Sequence, residues 1–328
     1  MHRVFRPLAA AFTLAATCLA VPLAHAQTPA PYPAKPVRIV VGYSAGGPTD
    51  LVARLVATQL QAATGQPFLV ENKPGAGSNL ATELVAGAAP DGYTLLLAAA
   101  PITMNAFLYK GLKWDVQKSL DPVSMVMSAP SILAVNPQVP ARSVQELITL
   151  AKQQPGKLSF GSTGIGGSQH MAGEVFKQRA GVDIVHVPYK GAAPALQDLI
   201  AGHVTMAFMT SLSAVPHIKA GKIRALGVAS RERMPQLPDL PTVGESGLPG
   251  FEADSWNGLF APHGTPPEVI NRLHAEIARI AASADFKDKL QAQGAVVVGN
   301  SPAEFRSFIR NEVEGWAKVF QTVQVKAE

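Results

Sequence analysis

The chain contains one cysteine, Cys18, among 328 residues. Cys18 lies in an N-terminal segment where Arg3 and Arg6 precede an apolar run that ends in Ala24-His25-Ala26. A basic start, a short apolar stretch and an A-x-A-like end are typical of a cleavable secretory signal peptide. We therefore predict that residues 1–26 are a signal peptide and that the mature protein is periplasmic.

Removal of residues 1–26 leaves 302 residues without a cysteine. This excludes disulfides, disulfide-linked partners, thiolate metal sites and cysteine nucleophiles from the mature protein. Its fold must hold by packing alone, and a 47% share of hydrophobic residues is enough for two cores in a chain of this length. No second stretch of about 18 apolar residues follows, so we expect no membrane span.

Clusters of charge are also missing. The formal net charge of +5 falls to +3 when the two signal-peptide arginines are removed, and the remaining lysines and arginines are scattered along the chain. Without a basic run there is no basis for nucleic-acid binding. The six mature histidines are isolated and no H-E-x-x-H motif occurs, so we predict neither a metal site nor a cofactor.

What the chain does have is two glycine-rich loops. The first loop, residues 42–47, reads Gly-Tyr-Ser-Ala-Gly-Gly, and the second loop, residues 161–168, reads Gly-Ser-Thr-Gly-Ile-Gly-Gly-Ser. Each follows a strand-like apolar run and precedes a helix start. Glycine allows close backbone approach and a helix N-terminus offers unpaired N–H groups, so each loop is a candidate anion cradle.

The element pattern predicts an α/β protein. Strands and helices alternate over residues 37–98, and a similar alternation restarts over residues 132–228, which favours parallel sheets covered on both faces. We predict a two-domain fold in which residues 27–124 and 251–328 form domain 1 and residues 125–250 form domain 2. Two crossing strands would then allow hinge closure about a cleft that both loops face.

Three capping boxes mark helix starts in this pattern. They are Ser143-x-x-Glu146, Thr265-x-x-Glu268 and Ser301-x-x-Glu304.

Each glycine-rich loop resembles a known enzyme motif. The first loop matches G-x-S-x-G, the nucleophile elbow of serine hydrolases with Ser44 as nucleophile, but it follows the first strand of the mature chain and the next histidine is His170. The second loop has P-loop spacing, but Gly167 stands where a lysine must reach the phosphates. A serine hydrolase remains the alternative, and the missing key residues argue against a dinucleotide or triphosphate site.

Three side chains near the loops have two interpretations each. His170, in the first turn after the second loop, is either a packing histidine or a ligand contact. Asp50, in the first turn after the first loop, is either a helix cap or a pocket residue that orders water. Tyr189, in the turn Tyr189-Lys190-Gly191, is either a rim residue or part of an ordinary strand–helix connection.

Five motifs, in order along the chain, resemble the Bug-type substrate-binding receptors of tripartite tricarboxylate transporters. They are Tyr43-Ser44-Ala45-Gly46-Gly47-x-x-Asp50, Asn72-Lys73-Pro74-Gly75-Ala76-Gly77, Pro90-Asp91-Gly92-Tyr93-Thr94-Leu95-Leu96, Phe160-Gly161-Ser162-Thr163-Gly164 and Val187-Pro188-Tyr189-Lys190-Gly191. The resemblance spans essentially the whole mature chain. It implies a type II periplasmic-binding-protein fold and a monomeric solute receptor, not an enzyme, that delivers a small carboxylate to membrane transporter subunits.

The same resemblance implies a site in which the two loops hold a ligand carboxylate, partly through water. The residues carried over are Tyr43, Ser44, Ala45, Gly46, Gly47, Asp50, Ser162, Thr163, Gly164, Ile165, Gly166, Gly167, Ser168, His170 and Tyr189. An aspartate that family members often carry after the strand ending Phe208-Met209-Thr210 is absent, which puts amino-acid ligands in doubt. A sensor accessory protein with the same cleft is a further alternative.

Overall fold

The computed structural model describes residues 1–2 and 32–321. Residues 3–26 of the predicted signal peptide, including Cys18, lie outside the described residues. No helix within the described part is both long and apolar enough to cross a bilayer.

Ten strands form one sheet. They are β1 (Val37–Val41), β2 (Phe68–Asn72), β3 (Thr94–Ala99), β4 (Leu120–Val135), β5 (Ser159–Ser162), β6 (Val185–Pro188), β7 (Met206–Thr210), β8 (Arg224–Val228), β9 (Asp254–Pro262) and β10 (Val296–Val297). Their order is β2-β1-β3-β9-β4-β7-β5-β6, and both β8 and β10 pair with β4. The α/β class predicted from the strand–helix alternation is confirmed.

Ten α-helices occur among residues 32–321. They are α1 (Pro48–Thr64), α2 (Asn79–Ala86), α3 (Asn105–Leu108), α4 (Val144–Gln153), α5 (Ser168–Ala180), α6 (Ala192–Ala201), α7 (Ser211–Lys219), α8 (Pro267–Ala282), α9 (Ala284–Gln291) and α10 (Pro302–Val319). Helices α3, α7 and α9 were not predicted from the sequence.

The sheet has two parallel groups joined by antiparallel strands. Strand β1 lies parallel to β2 and β3, and β5 lies parallel to β6 and β7. Strand β9 runs antiparallel to β3, and the 16-residue β4 pairs antiparallel with β9 along its first part and with β7 and β8 along its last. The long strand β4 thus belongs to both groups.

Four hydrophobic clusters cover the faces of these groups. Helices α1 and α8 pack on the face of β1 that carries Ile39, whereas α2 and α10 pack on the opposite face with Val40. In the other group, α4 and α5 cover Phe208 and α6 and α7 cover Ala207. Consecutive strand residues point to opposite faces, so a continuous apolar run is required where both faces are buried.

The predictions of three helix capping boxes were only partly correct. The Ser143 hydroxyl accepts the Glu146 N–H, and Ser301 forms a complete capping box with Glu304. The prediction for Thr265 is wrong, because its hydroxyl donates to the Pro262 carbonyl and α8 begins at Pro267 without a side-chain cap. Pro266 occupies the N-cap position there, and it moves the helix start beyond the reach of Thr265.

Candidate functional site

The first loop joins the carboxyl end of β1 to the start of α1. Gly46 has φ +81°, a conformation that favours glycine, and its N–H donates to Asp50 Oδ2 at 3.0 Å. Gly42 lies so close to Ser78 that a Cβ atom would approach the serine hydroxyl to 1.8 Å. Both glycines are therefore required by the backbone path of this loop.

Asp50 organises the first loop through three donors. Besides Gly46 N–H, its carboxylate accepts from Arg54 Nε at 2.9 Å and from Asn72 Nδ2 at 3.0 Å, and Asn72 also donates to the Tyr43 carbonyl. Burial opposes ionisation of Asp50, but hydrogen bonds from Arg54, Gly46 and Asn72 outweigh it and lower the pKa of the carboxyl group. The side chain thus fixes the loop as a charged acceptor.

The second loop is held by its own side chains. The Ser162 hydroxyl accepts the Gly164 N–H at 3.1 Å, and the Thr163 hydroxyl donates to Gln169 Oε1 at 2.7 Å. The Gly166 N–H donates to His170 Nδ1 at 3.0 Å. These bonds place the first turn of α5 directly behind the loop.

Two stacked histidines lie beneath the second loop. The rings of His170 and His186 have centroids 3.9 Å apart, and His186 Nε2 is 2.7 Å from the Ser162 hydroxyl. Burial lowers the pKa of His170 to about 3 and that of His186 to about 4, and nearby Lys177 disfavours a further positive charge on either ring. Both imidazoles are therefore neutral at neutral pH, and they act as packing and positioning groups.

A small pocket lies where the two loops approach each other; we call it the central pocket. It is lined by Tyr43, Gly47, Pro48, Thr49, Ala99, Pro101, Met127, Thr163, Ser168, Gln169, Ala192, Thr210, Ser255 and Asn257. No lining residue carries a charge. The cavity volume is about 30 Å³, which is room for two or three water molecules at about 10–15 Å³ each.

Four helix N-termini border this uncharged pocket. Thr49 is in the first turn of α1, Ser168 and Ala192 are the first residues of α5 and α6, and Thr210 is the N-cap of α7. The first N–H groups of a helix have no acceptor within the helix and carry a partial positive charge. The pocket therefore offers a positive potential without any basic side chain.

Hydroxyl groups add further donors. Thr210 is 3% exposed and its Oγ1 has no hydrogen-bond partner among the described residues. Ser168 also lines the pocket, and its side chain likewise makes no hydrogen bond within the described part of the chain. An unpaired buried hydroxyl costs free energy, so its presence in a pocket indicates a ligand contact.

A wider cavity of about 290 Å³, which we call the mouth cavity, adjoins both loops. It is lined by Gly42, Tyr43, Gly75, Ala76, Gly77, Ser78, Tyr109, Thr163, Gly164, Ile165, Pro188, Tyr189 and Lys190. The Tyr109 hydroxyl donates to the Ile165 carbonyl at 2.7 Å, and the Ser44 N–H donates to the Lys190 carbonyl at 3.3 Å. These two bonds join segments near β1 to segments near β5 and β6.

The structure distributes the predicted site residues over three environments. Those that line the central pocket are Tyr43, Gly47, Thr163 and Ser168. Those that line the mouth cavity are Tyr43, Thr163, Gly164, Ile165 and Tyr189. Those that line neither are Ser44, Ala45, Gly46, Asp50, Ser162, Gly166, Gly167 and His170.

Several pocket residues were missed by the sequence analysis. They include Thr49, Gln169, Ala192, Thr210, Ser255 and Asn257. Thr49 follows the first loop by two residues and Gln169 follows the second loop by one, so helix-start position was a usable signal for both. Ser255 and Asn257 lie on β9, and nothing local in the sequence marks them.

The surroundings of Ser44 differ from those of a hydrolase nucleophile. Its hydroxyl is buried without a hydrogen-bond partner among the described residues, and its Cβ packs against the Gly191 position. The next histidine along the chain after Ser44, His170, instead accepts the Gly166 N–H. A nucleophilic serine needs a base within about 2.6–3.2 Å, and Ser44 has no such contact in the described part of the chain.

Comparison with known proteins places these features in a family. Residues 52–325 match the model of the TctC family, described as the tripartite tricarboxylate transporter family receptor. The chain belongs to this family. The resemblance to Bug-type receptors seen in the sequence motifs is thus confirmed.

Three solved structures of similar proteins extend the comparison. The periplasmic binding protein BugD is 35% identical with a TM-score of 0.87, covering 90% of this chain and 100% of BugD. A Rhodopseudomonas palustris protein solved with adipate is 36% identical, TM-score 0.87, with 89% and 98% coverage. MatC from Rhodopseudomonas palustris, solved with malate, is 34% identical, TM-score 0.85, with 88% and 99% coverage.

These findings establish the chain as a solute-binding receptor of the TctC family with a two-domain periplasmic-binding-protein fold. The predicted domain boundaries and the predicted set of site residues stay predictions.

Proposed function

We propose that this protein binds a small solute through its carboxylate in the central pocket, between the two glycine loops. The observation that carries the proposal is the meeting of four helix N-termini around a pocket without a charged side chain. Such a surface favours an anion and does not depend on a titrating basic residue. Two similar proteins from Rhodopseudomonas palustris were solved with dicarboxylates, one with adipate and one with malate, which supports this ligand class.

We propose that residues 27–124 with 251–328 and residues 125–250 are two domains that close over the ligand. The central pocket, at about 30 Å³, is too small for a dicarboxylate, so binding requires its walls to separate first. We expect the radius of gyration from small-angle scattering to be larger without ligand than with a saturating carboxylate. An unchanged radius would contradict domain closure.

The proposal includes a route through the cell envelope. The protein would be exported by cleavage after residue 26, act as a monomer in the periplasm without a cofactor, and deliver its solute to membrane transporter subunits. A signalling accessory role would use the same pocket with a different membrane partner. Capture of the membrane partner by cross-linking in whole cells distinguishes the two roles.

A thermal-shift screen tests the ligand class. A ligand that binds only the native state raises the apparent stability, by about 2.7 kcal/mol at a hundred times its Kd. We expect stabilisation by at least one of the mono-, di- and tricarboxylates and nicotinate-like acids, and none by amino acids. Turnover of carboxylic esters that is lost in Ser44→Ala would instead support the hydrolase alternative.

A further inference from the structure

A third cavity, which shares only Ser168 with the central pocket, lies on another side of the strands β4 and β9. Its volume is about 270 Å³. We call it the aromatic–acid cavity, and it is lined by Ser128, Ser168, Met171, Ala172, Val175, Phe251, Glu252, Ala253, Asp254, Trp256, Phe308, Glu312 and Trp316. Strands, α5 and α10 all contribute to its walls. The cavity is therefore formed by the packing of several elements and is not a groove on the surface of a single element.

Aromatic rings form much of its wall. Trp256 is 3% exposed and meets the Phe308 ring edge-to-face, with centroids 5.7 Å apart. Trp316 and Phe251 line the same cavity. Two of the three tryptophans of the chain thus face one cavity, and indole rings are the side chains that attract cations most strongly through their faces.

Three carboxylates line the same cavity, and no basic residue does. Glu252 is paired with Arg231 at 2.8 Å. Asp254 has no hydrogen-bond or ion-pair partner in the described part of the chain, and Glu312 meets only the Trp256 Nε1–H, at 3.4 Å. Two negative groups in an aromatic wall therefore lack a positive partner within the described residues.

The position of Asp254 has an electrostatic cost. Asp254 is an exposed residue at the start of β9, and partial loss of water around its carboxyl group raises its pKa to about 6, with repulsion by Glu252 and Glu312 adding to the effect. A bound cation would stabilise the ionised carboxylate and offset the repulsion by Glu252 and Glu312. Ser168, which is 8% exposed, also lines this cavity, and its side chain makes no hydrogen bond among the described residues.

A metal ion does not fit this cavity. Within the described residues, no three His, Cys, Asp or Glu side chains come close enough together to hold one. A metal also prefers oxygen ligands to aromatic walls. An ammonium group on a short hydrocarbon matches both the carboxylates and the rings.

We propose that the aromatic–acid cavity binds a small organic ammonium ion, with its charge beside Asp254 and Glu312 and its hydrocarbon part against Trp256 and Trp316. Ser168 lines both this cavity and the central pocket. An occupant of the aromatic–acid cavity would therefore contact the same N-terminal turn of α5 that borders the central pocket.

The test is a titration of the full mature protein with butylammonium chloride, followed by tryptophan fluorescence, without any carboxylate ligand. We expect a saturable change at millimolar or lower concentration at pH 7.5. Asp254→Asn and Glu312→Gln should each weaken binding at least about tenfold, which corresponds to 1.4 kcal/mol. Circular dichroism and thermal unfolding check that both variants are folded.

Two controls make the result specific. Glu314→Gln removes a charge from the same helix at an exposed position outside the cavity, so its Kd should stay within twofold of the wild type. Uncharged 1-butanol should give no saturable change. The proposal is overturned if butylammonium gives no saturable change, if 1-butanol binds equally well, or if both cavity variants bind like Glu314→Gln. Because no carboxylate is present, this outcome is independent of the function proposed for the central pocket.

Discussion

At the scale of single residues, substitution of Thr210 tests whether its hydroxyl contacts the ligand. It lines the central pocket, is buried and has no hydrogen-bond partner among the described residues. Thr210→Val should weaken carboxylate binding about tenfold, because a hydrogen bond to a charged group contributes about 1.5–3 kcal/mol. The free energy of unfolding without ligand should stay equal or rise, because the hydroxyl has no partner to lose. Calorimetric titration and urea unfolding measure the two effects.

The neighbouring strand offers a matched control. Ser131 on β4 pairs with Thr210 in the sheet, and its hydroxyl is also buried without a partner among the described residues, but it does not line the pocket. Ser131→Ala should leave carboxylate affinity unchanged. If Thr210→Val binds the carboxylate as tightly as Ser131→Ala does, Thr210 is not a ligand contact.

Asp50 gives a stability prediction at the same scale. Asp50→Asn replaces a buried charged acceptor of three hydrogen bonds, so we expect a loss of about 1–3 kcal/mol in the free energy of unfolding at pH 7. The exposed pair Asp285–Lys289 is the control, and Asp285→Asn should cost about 0.5 kcal/mol or less. Urea unfolding compares the two variants, and an equal cost would show that Asp50 does not anchor the loop.

The lowered pKa of Asp50 determines how its contribution to the free energy of unfolding changes with pH. The carboxylate stabilises the fold fully above its unfolded pKa of about 3.9, and this contribution is lost as pH falls through the lower folded pKa. In Asp50→Asn the acid-induced loss of stability should therefore be smaller than in the wild type.

At the scale of elements, the start of α5 and the end of β5 depend on the neutral histidine pair. Both folded pKa values, about 3 for His170 and about 4 for His186, lie below the unfolded value of about 6.5. Between about pH 4 and 6.5 the unfolded state binds more protons, so stability falls as pH is lowered through this window. We expect a decrease of about 3–4 kcal/mol between pH 7 and 5, about 2 kcal/mol for each ring, measured by urea unfolding at each pH.

Two variants test whether this dependence of the free energy of unfolding on pH comes from the buried imidazole rings. His186→Gln keeps a polar group near Ser162 but removes one titrating ring, so the slope should become shallower. His203→Gln removes an exposed histidine, 70% of whose side chain is accessible, and should leave the slope unchanged. Equal slopes in the wild type and in His186→Gln would contradict the assignment.

The elements also show what local sequence can predict. Glycine loops after β1 and β5 and the capping boxes at Ser143 and Ser301 were predictable, because a strand end, a glycine and a cap all lie within a few residues. The Thr265 signal failed because a proline at the N-cap overrode it. Helix α7 was missed because Pro216 interrupts its pattern.

At the scale of the whole molecule, the central pocket depends on contacts between distant segments. Thr210 and Ser255 meet there because β4 pairs with β7 and with β9, and no spacing along the chain reveals either pairing. The two loops were visible in the sequence, but ten of the 14 residues that line the pocket were not predicted. Pairing between strands that are distant in sequence decides which polar groups of the pocket are left without a partner. We expect those groups to determine which ligand is bound.

One measurement tests the central claim most directly: calorimetric titration of the mature protein with the best carboxylate from the screen and with its carboxamide analogue. The amide has nearly the same shape but no charge, so it cannot use the potential of four helix N-termini. We predict saturable binding of the acid, with nearly constant affinity from pH 7 to 9, and at least about a hundredfold weaker binding of the amide. Equal binding of acid and amide, or no binding of any carboxylate, would contradict the proposed site.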